Sequence, residues 1–175
     1  MFGIRYLKVS PTTHVIQYKR GRPVREGPGL AFFYFEPSSV IVQVPVGSTD
    51  VPFVFEEVAA DFQDVSIQGE LTLRVVEPTK LAGLLDFSVD GNGRFLSDDP
   101  TKLRERLIHA TQILARSYAQ ARKLDELVIG SNALVDTVLA GLRQSENVQM
   151  LGVEILARFL VGPIRLADFT NEGPH

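Results

Sequence analysis

Three histidines are the first place to look for catalysis: His14, His109 and His175. A nucleophilic triad needs a nucleophile, a base and an orienting acid that converge in space. His14 falls at an expected strand start, His109 inside an expected helix and His175 at the terminus, and no spacing draws them together. Asp98 and Asp99 are adjacent carboxylates, but a calcium site needs six or more oxygens from several positions. The pair is read as a helix cap. Glu56 and Glu57 are neighbours in an expected strand, so they point to opposite faces and form no acid–base pair. They are read as a solvated edge. Gly27-Pro28-Gly29 and Gly91-Asn92-Gly93 lack both the Lys-Ser/Thr grip and the three-glycine fingerprint of phosphate loops. No catalytic residue, metal site or cofactor is assigned, and an enzyme is not expected.

The residues that invite an interaction lie elsewhere. Lys19, Arg20, Arg22 and Arg25 cluster around a glycine turn, and Phe32, Phe33, Tyr34 and Phe35 follow closely. These eight are the candidates for membrane or partner contact. Four consecutive aromatics in a strand cannot all face one core. Two readings stand: burial between sheet and helices, or contact with a second layer, a partner subunit or a membrane interface. Each cation near an anionic leaflet contributes about 1 kcal/mol, so four give about 4 kcal/mol. That is a millimolar-scale attraction of roughly that energy. Stable anchoring generally takes two signals, and linked copies multiply avidity. Nucleic acid is not expected, because no base-stacking platform interleaves the cations.

Several elements must position these groups. Tyr6–Lys8 reads as a short strand and Val15–Lys19 as a better one, ended by Gly21. Gly27-Pro28-Gly29 marks a turn, Leu30–Phe35 a strand, and Val40–Val46 another whose end Pro45 demotes to an edge or bulge. Phe53–Phe55 is a further short strand. Val65–Val76 is the clearest strand: Val65, Ile67, Leu71, Leu73 and Val75 face one way. Gly69 sits on that apolar face, where a bulge or close backbone approach is expected. Pro78 opens a short helix with Leu81, Leu84 and Leu85 inward. Ser97-Asp98-Asp99-Pro100 starts a helix that runs to about Lys123, with Leu103, Leu107, Ala110, Leu114, Ser117 and Ala121 as its stripe. A second helix follows Ser131 or Asn132, with Leu134, Val135, Val138, Leu139 and Leu142 inward. Gly152 breaks the pattern and Val153–Val161 alternates again. Strands first, two or three helices next and a closing strand imply an α+β domain, mostly antiparallel, with helices on one face.

Composition is consistent with that. The 175 residues are 45% hydrophobic and include no cysteine, so disulfides and thiolate zinc sites are excluded. No apolar run reaches the ~18 residues of a membrane span, and the start is too short in apolar residues for a signal peptide. The net charge of −3 hides an asymmetry: residues 1–30 carry +5, residues 31–99 carry −9 and the rest +1. A basic end on an acidic body points to an anionic surface near the N-terminus.

These residues in this order resemble the SPFH domain, or band 7, of the stomatin, prohibitin and flotillin superfamily. The likeness runs through Val15-Ile16-Gln17-Tyr18-Lys19-Arg20-Gly21, Gly27-Pro28-Gly29-Leu30-Ala31-Phe32 and Asp61-Phe62-Gln63-Asp64-Val65-Ser66-Ile67. It continues at Leu73-Arg74-Val75-Val76-Glu77-Pro78, Leu124-Asp125-Glu126-Leu127 and Leu151-Gly152-Val153-Glu154. The resemblance implies a domain over 1–169 with an unstructured tail at 170–175. It implies a non-catalytic scaffold that self-assembles into homo-oligomers at a membrane surface. Its expected contacts are an anionic membrane and membrane-protein or protease partners, at a cytoplasmic, peripheral location on a membrane's inner face. The departures are a missing hydrophobic anchor, a missing heptad-rich tail and a longer Val46–Glu57 connection. An excised domain and a minimal soluble member both fit them. A second reading makes the aromatic strand a soluble binding site for a hydrophobic ligand or client peptide.

Overall fold

The computed structural model describes residues 3–164, so the expected domain end at 169 and the tail at 170–175 lie outside the described residues. The strands are β1 (Ile4–Lys8), β2 (Thr13–Lys19), β3 (Arg22–Pro28), β4 (Ala31–Phe35), β5 (Ser39–Pro45), β6 (Thr49–Val58), β7 (Asp64–Val75), β8 (Ser88–Val89) and β9 (Val153–Pro163). The helices are α1 (Pro78–Ala82), α2 (Asp99–Gln120), α3 (Leu124–Ile129), α4 (Ser131–Gln144) and α5 (Glu146–Gln149). The fold is α+β, with antiparallel sheets, five helices among the described residues and a closing C-terminal strand. The sheets run β1–β4, β3–β2–β5–β8 and β6–β7–β9.

The described chain forms two compact units. The first takes residues up to 49, 73–106 and 146–154. In it the β1–β4 ribbon packs on the four-stranded sheet through Phe32 and Tyr34 of β4, Val15 of β2, Ile41 of β5 and Val89 of β8. Leu7, Val9 and Leu30 flank that cluster. Period-two alternation explains the choice, since it sends alternate side chains of each strand to one face.

The second unit takes residues 50–72, 107–145 and those from 155 onward. Phe53, Phe55, Val65, Ile67, Leu71, Ile155 and Phe159 are its buried strand residues. Phe53 stacks on Phe55 at 4.4 Å and meets Phe159 edge-on at 5.1 Å. Gly69 is a close-approach position: a Cβ there would collide with the Arg158 carbonyl oxygen. Leu127, Leu134, Val138 and Leu142 are fully buried from the helical side.

Five expectations need correction. The Lys19–Arg25 region is not simply a turn: β3 pairs along β2, joined through Arg20 (φ 51) and Gly21 (φ 75). Two left-handed residues make the tight turn whose twist suits a hairpin. Prolines and charges hid β3, and its residues are largely exposed because it is an edge strand. Phe53–Phe55 is the middle of a ten-residue strand. The long helix ends at Gln120, and Lys123 precedes α3. Its buried face is Leu103, Leu107, Thr111, Ala115, Tyr118 and Ala119, while Ser117 and Ala121 are exposed. Successive i+4 positions advance by about 40° on a 3.6-residue helix, so the buried face winds around α2 instead of keeping to one heptad stripe. Leu84 is also exposed, leaving Leu81 and Leu85 as the buried residues around α1.

Candidate membrane or partner contact site

The site is built on the first unit's hairpin and ribbon. In β1–β4, Ile4 stands opposite Phe35 and Tyr6 opposite Phe33. All four are exposed, Phe33 by 71%. The Tyr6 and Phe33 rings lie 4.9 Å apart and tilted. The ribbon therefore shows an apolar outer face made of two cross-strand pairs. Phe32 and Tyr34 are 6% and 8% exposed and belong to the core. Of the four aromatic candidates, alternation leaves Phe33 and Phe35 for contact.

The basic candidates surround the neighbouring hairpin. Lys19 and Arg22 are register partners across its turn, and Arg20 lies at its tip. All are exposed. Arg25 places its guanidinium 4.4 Å from the Phe32 ring centre, so the cationic strand and the aromatic strand touch. Arg5 forms an ion pair with Glu36 beside the ribbon, and that bond and charge raise its pKa. Sequence reasoning missed Ile4 and Tyr6, because a five-residue strand shows too few alternations. The signal available was their apolar spacing ahead of the exposed Lys8.

The residues considered for catalysis are placed in structural roles. His14 lies in β2 opposite Val44, and its Nε2 is buried with no hydrogen-bond partner among the described residues. His109 is exposed on α2 and His175 lies outside the described residues. Asp98 accepts the Thr101 and Lys102 amides on its carbonyl, both at 3.0 Å, and Lys102 Nζ is 2.9 Å from its carboxylate. That hydrogen bond and charge lower the Asp98 pKa. The Asp99 carboxylate accepts the Asp86 amide at 2.8 Å. The pair stands at the start of α2, but the side chain that accepts an amide there is the Ser97 hydroxyl, from Asp99 at 3.2 Å.

Glu56 and Glu57 do point to opposite faces, but Glu57 is buried rather than solvated. Its carboxylate accepts Arg116 Nε at 2.9 Å and Gln112 Nε2 at 3.4 Å. A buried carboxylate needs such partners, which makes Glu57 a structural link between β6 and α2. The hydrogen bond and charge of Glu57 raise the Arg116 pKa. Among the described residues no three His, Asp or Glu side chains gather as a metal site. No described helix is long and apolar enough to cross a membrane.

A comparison with family models matches the SPFH domain / Band 7 family over residues 7–172. The chain belongs to that family. The SPFH match covers nearly the whole chain, including the basic hairpin, β4 of the ribbon and β9, and begins inside β1 after Ile4 and Tyr6. A comparison with curated proteins gives no match. For this SPFH domain, the order of strands, helices and closing strand agrees with the family resemblance of its sequence.

Proposed function

We propose that this chain is a non-catalytic SPFH scaffold domain that self-associates and rests on an anionic membrane surface, where it organises lipid or partner proteins. The observation that carries the reading is the apolar outer face of the β1–β4 ribbon in the unit that bears the basic hairpin. Two signals of different kind are what peripheral binding generally requires. The four cations contribute about 4 kcal/mol at an anionic leaflet. Covering the exposed parts of Ile4, Tyr6, Phe33 and Phe35 adds roughly 1 kcal/mol each. Each signal alone is of millimolar scale, and a pose that brings both to one leaflet approaches micromolar binding before ordering costs. Joined copies would strengthen it further.

Flotation with vesicles containing phosphatidylserine tests this. Binding is expected to fall with salt and to disappear on combined reversal of Arg20, Arg22 and Arg25 to Glu. Binding unaffected by those reversals contradicts the basic surface. Turnover in a hydrolase screen contradicts the non-catalytic reading.

A further inference from the structure

We propose that β9 is a self-pairing edge, and that two copies join β9 to β9, antiparallel, about a two-fold axis at Leu156. The proposal deepens the self-association reading and rests on it. β9 lies at the end of the β6–β7–β9 order, so one side of its backbone is unpaired within the described sheet. The far edge of the same sheet and the edge of the basic hairpin carry guards. β3 contains Pro23, Pro28 and a register shift, and β6 contains Pro52. Such features discourage pairing with another chain. β9 spans eleven residues and has no proline before its last, Pro163.

Backbone parity identifies which groups face outward. The Gly152 carbonyl accepts the Val76 and Glu77 amides, and the Ile164 amide donates to the Asp64 carbonyl. Even-numbered residues thus turn their backbone groups toward β7. The amides and carbonyls of Val153, Ile155, Ala157 and Phe159 then point to the free edge, since these directions alternate along a strand. A pairing centred on Leu156 sets Ile155 against Ala157 and Val153 against Phe159, with both pairs exchanging backbone hydrogen bonds.

Side chains select the same register. Ile155 and Phe159 are buried on one face, while Glu154, Leu156, Arg158 and Leu160 are exposed on the other. Centred on Leu156, the exposed face matches Glu154, whose carboxylate already accepts Arg74 Nε at 3.0 Å within its own chain, with the second copy's Arg158, twice, and Leu156 with itself, so the new contact extends a charge row of alternating sign. Opposite charges directly across strands stabilise, and like charges oppose pairing. Centring on Ala157 sets Glu154 against Leu160 and Arg158 against Leu156. Centring on Arg158 sets two guanidiniums face to face. The occupant that fits this edge in both charge and backbone is a second copy of the chain. Isologous contact of this kind closes a dimer.

The chain has no cysteine, which permits a clean test. Leu156→Cys, Arg158→Cys and Leu160→Cys are oxidised mildly in otherwise unchanged protein. A non-hydrogen-bonded antiparallel pair has Cα atoms about 4.5 Å apart, within disulfide reach. Leu156→Cys is expected to form covalent dimer at least about tenfold faster than the other two, given that geometric requirement. Equal or faster dimer formation at 158 or 160 overturns the register.

Ala157→Pro removes an outward amide without removing a ladder bond inside the chain. Two hydrogen bonds per dimer are lost, so the dissociation constant by light scattering should rise at least about tenfold. Circular dichroism and melting should change little. Association unchanged in the proline variant, beside wild-type protein that does associate, overturns the edge pairing and leaves the scaffold reading standing. Wild-type protein that stays monomeric at all concentrations overturns self-association itself.

Discussion

The Arg25 guanidinium stands 4.4 Å from the centre of the Phe32 ring. This contact joins the edge strand of the basic hairpin to the inward side of the aromatic ribbon. It gives Arg25 two tasks, since the cation covers a core ring while its charge stays near solvent. Arg25→Ala should therefore lower stability by about 0.5–1 kcal/mol, the usual worth of a partly exposed cation–π contact. Arg22→Ala should leave the urea midpoint in place. Both substitutions should weaken vesicle binding. Equal stability of the two variants would remove the structural task from Arg25.

Gly69 faces the Arg158 backbone at a position that tolerates no Cβ. Gly69→Ala must push β7 and β9 apart locally or unpair them. A loss of at least about 2 kcal/mol is expected, within the range for overpacking a tight contact. Gly162 meets nothing within 4 Å of an added Cβ, so Gly162→Ala serves as the control and should be close to neutral. Comparison of their urea midpoints checks this.

Legibility in the sequence followed the length of each pattern. β7 was clear because twelve residues alternate without interruption, and even Gly69 announced a close approach. α4 was clear because Leu134, Val138 and Leu142 keep one i+4 face. β3 was not, because an edge strand buries little and its prolines and charges read as loop. The candidate site was half legible. The basic turn and the aromatic run stand out as residues, but which two rings face outward depends on the pairing of β4 with β1. Glu57 was misjudged because its partners, Gln112 and Arg116, are more than fifty residues away in the chain.

The Asp90 turn sets a pH dependence. Its Oδ1 accepts the Asn92 amide at 2.8 Å and the Arg94 amide at 3.0 Å. Those backbone bonds, that of Arg94 foremost, lower the Asp90 pKa from the model-compound value of 3.8. A carboxylate with a depressed folded-state pKa stabilises above its unfolded pKa, and that contribution is lost as pH falls through the folded value. Asp90 thus contributes to acid unfolding below pH 3.8. Asp90→Asn keeps an acceptor oxygen but cannot titrate. Its stability should fall less steeply with acid than wild type in denaturant titrations from neutral to acid pH. Parallel curves would exclude Asp90 from acid unfolding.

The central claim, that the outer face of the ribbon meets a membrane, has a direct optical test. The chain contains no tryptophan. A single Phe33→Trp substitution therefore places one selective reporter on the exposed face, where the ring is 71% exposed. On addition of vesicles containing phosphatidylserine, its emission should shift to the blue, and high salt should reverse the shift. Emission unchanged by vesicles that bind the protein would contradict the account.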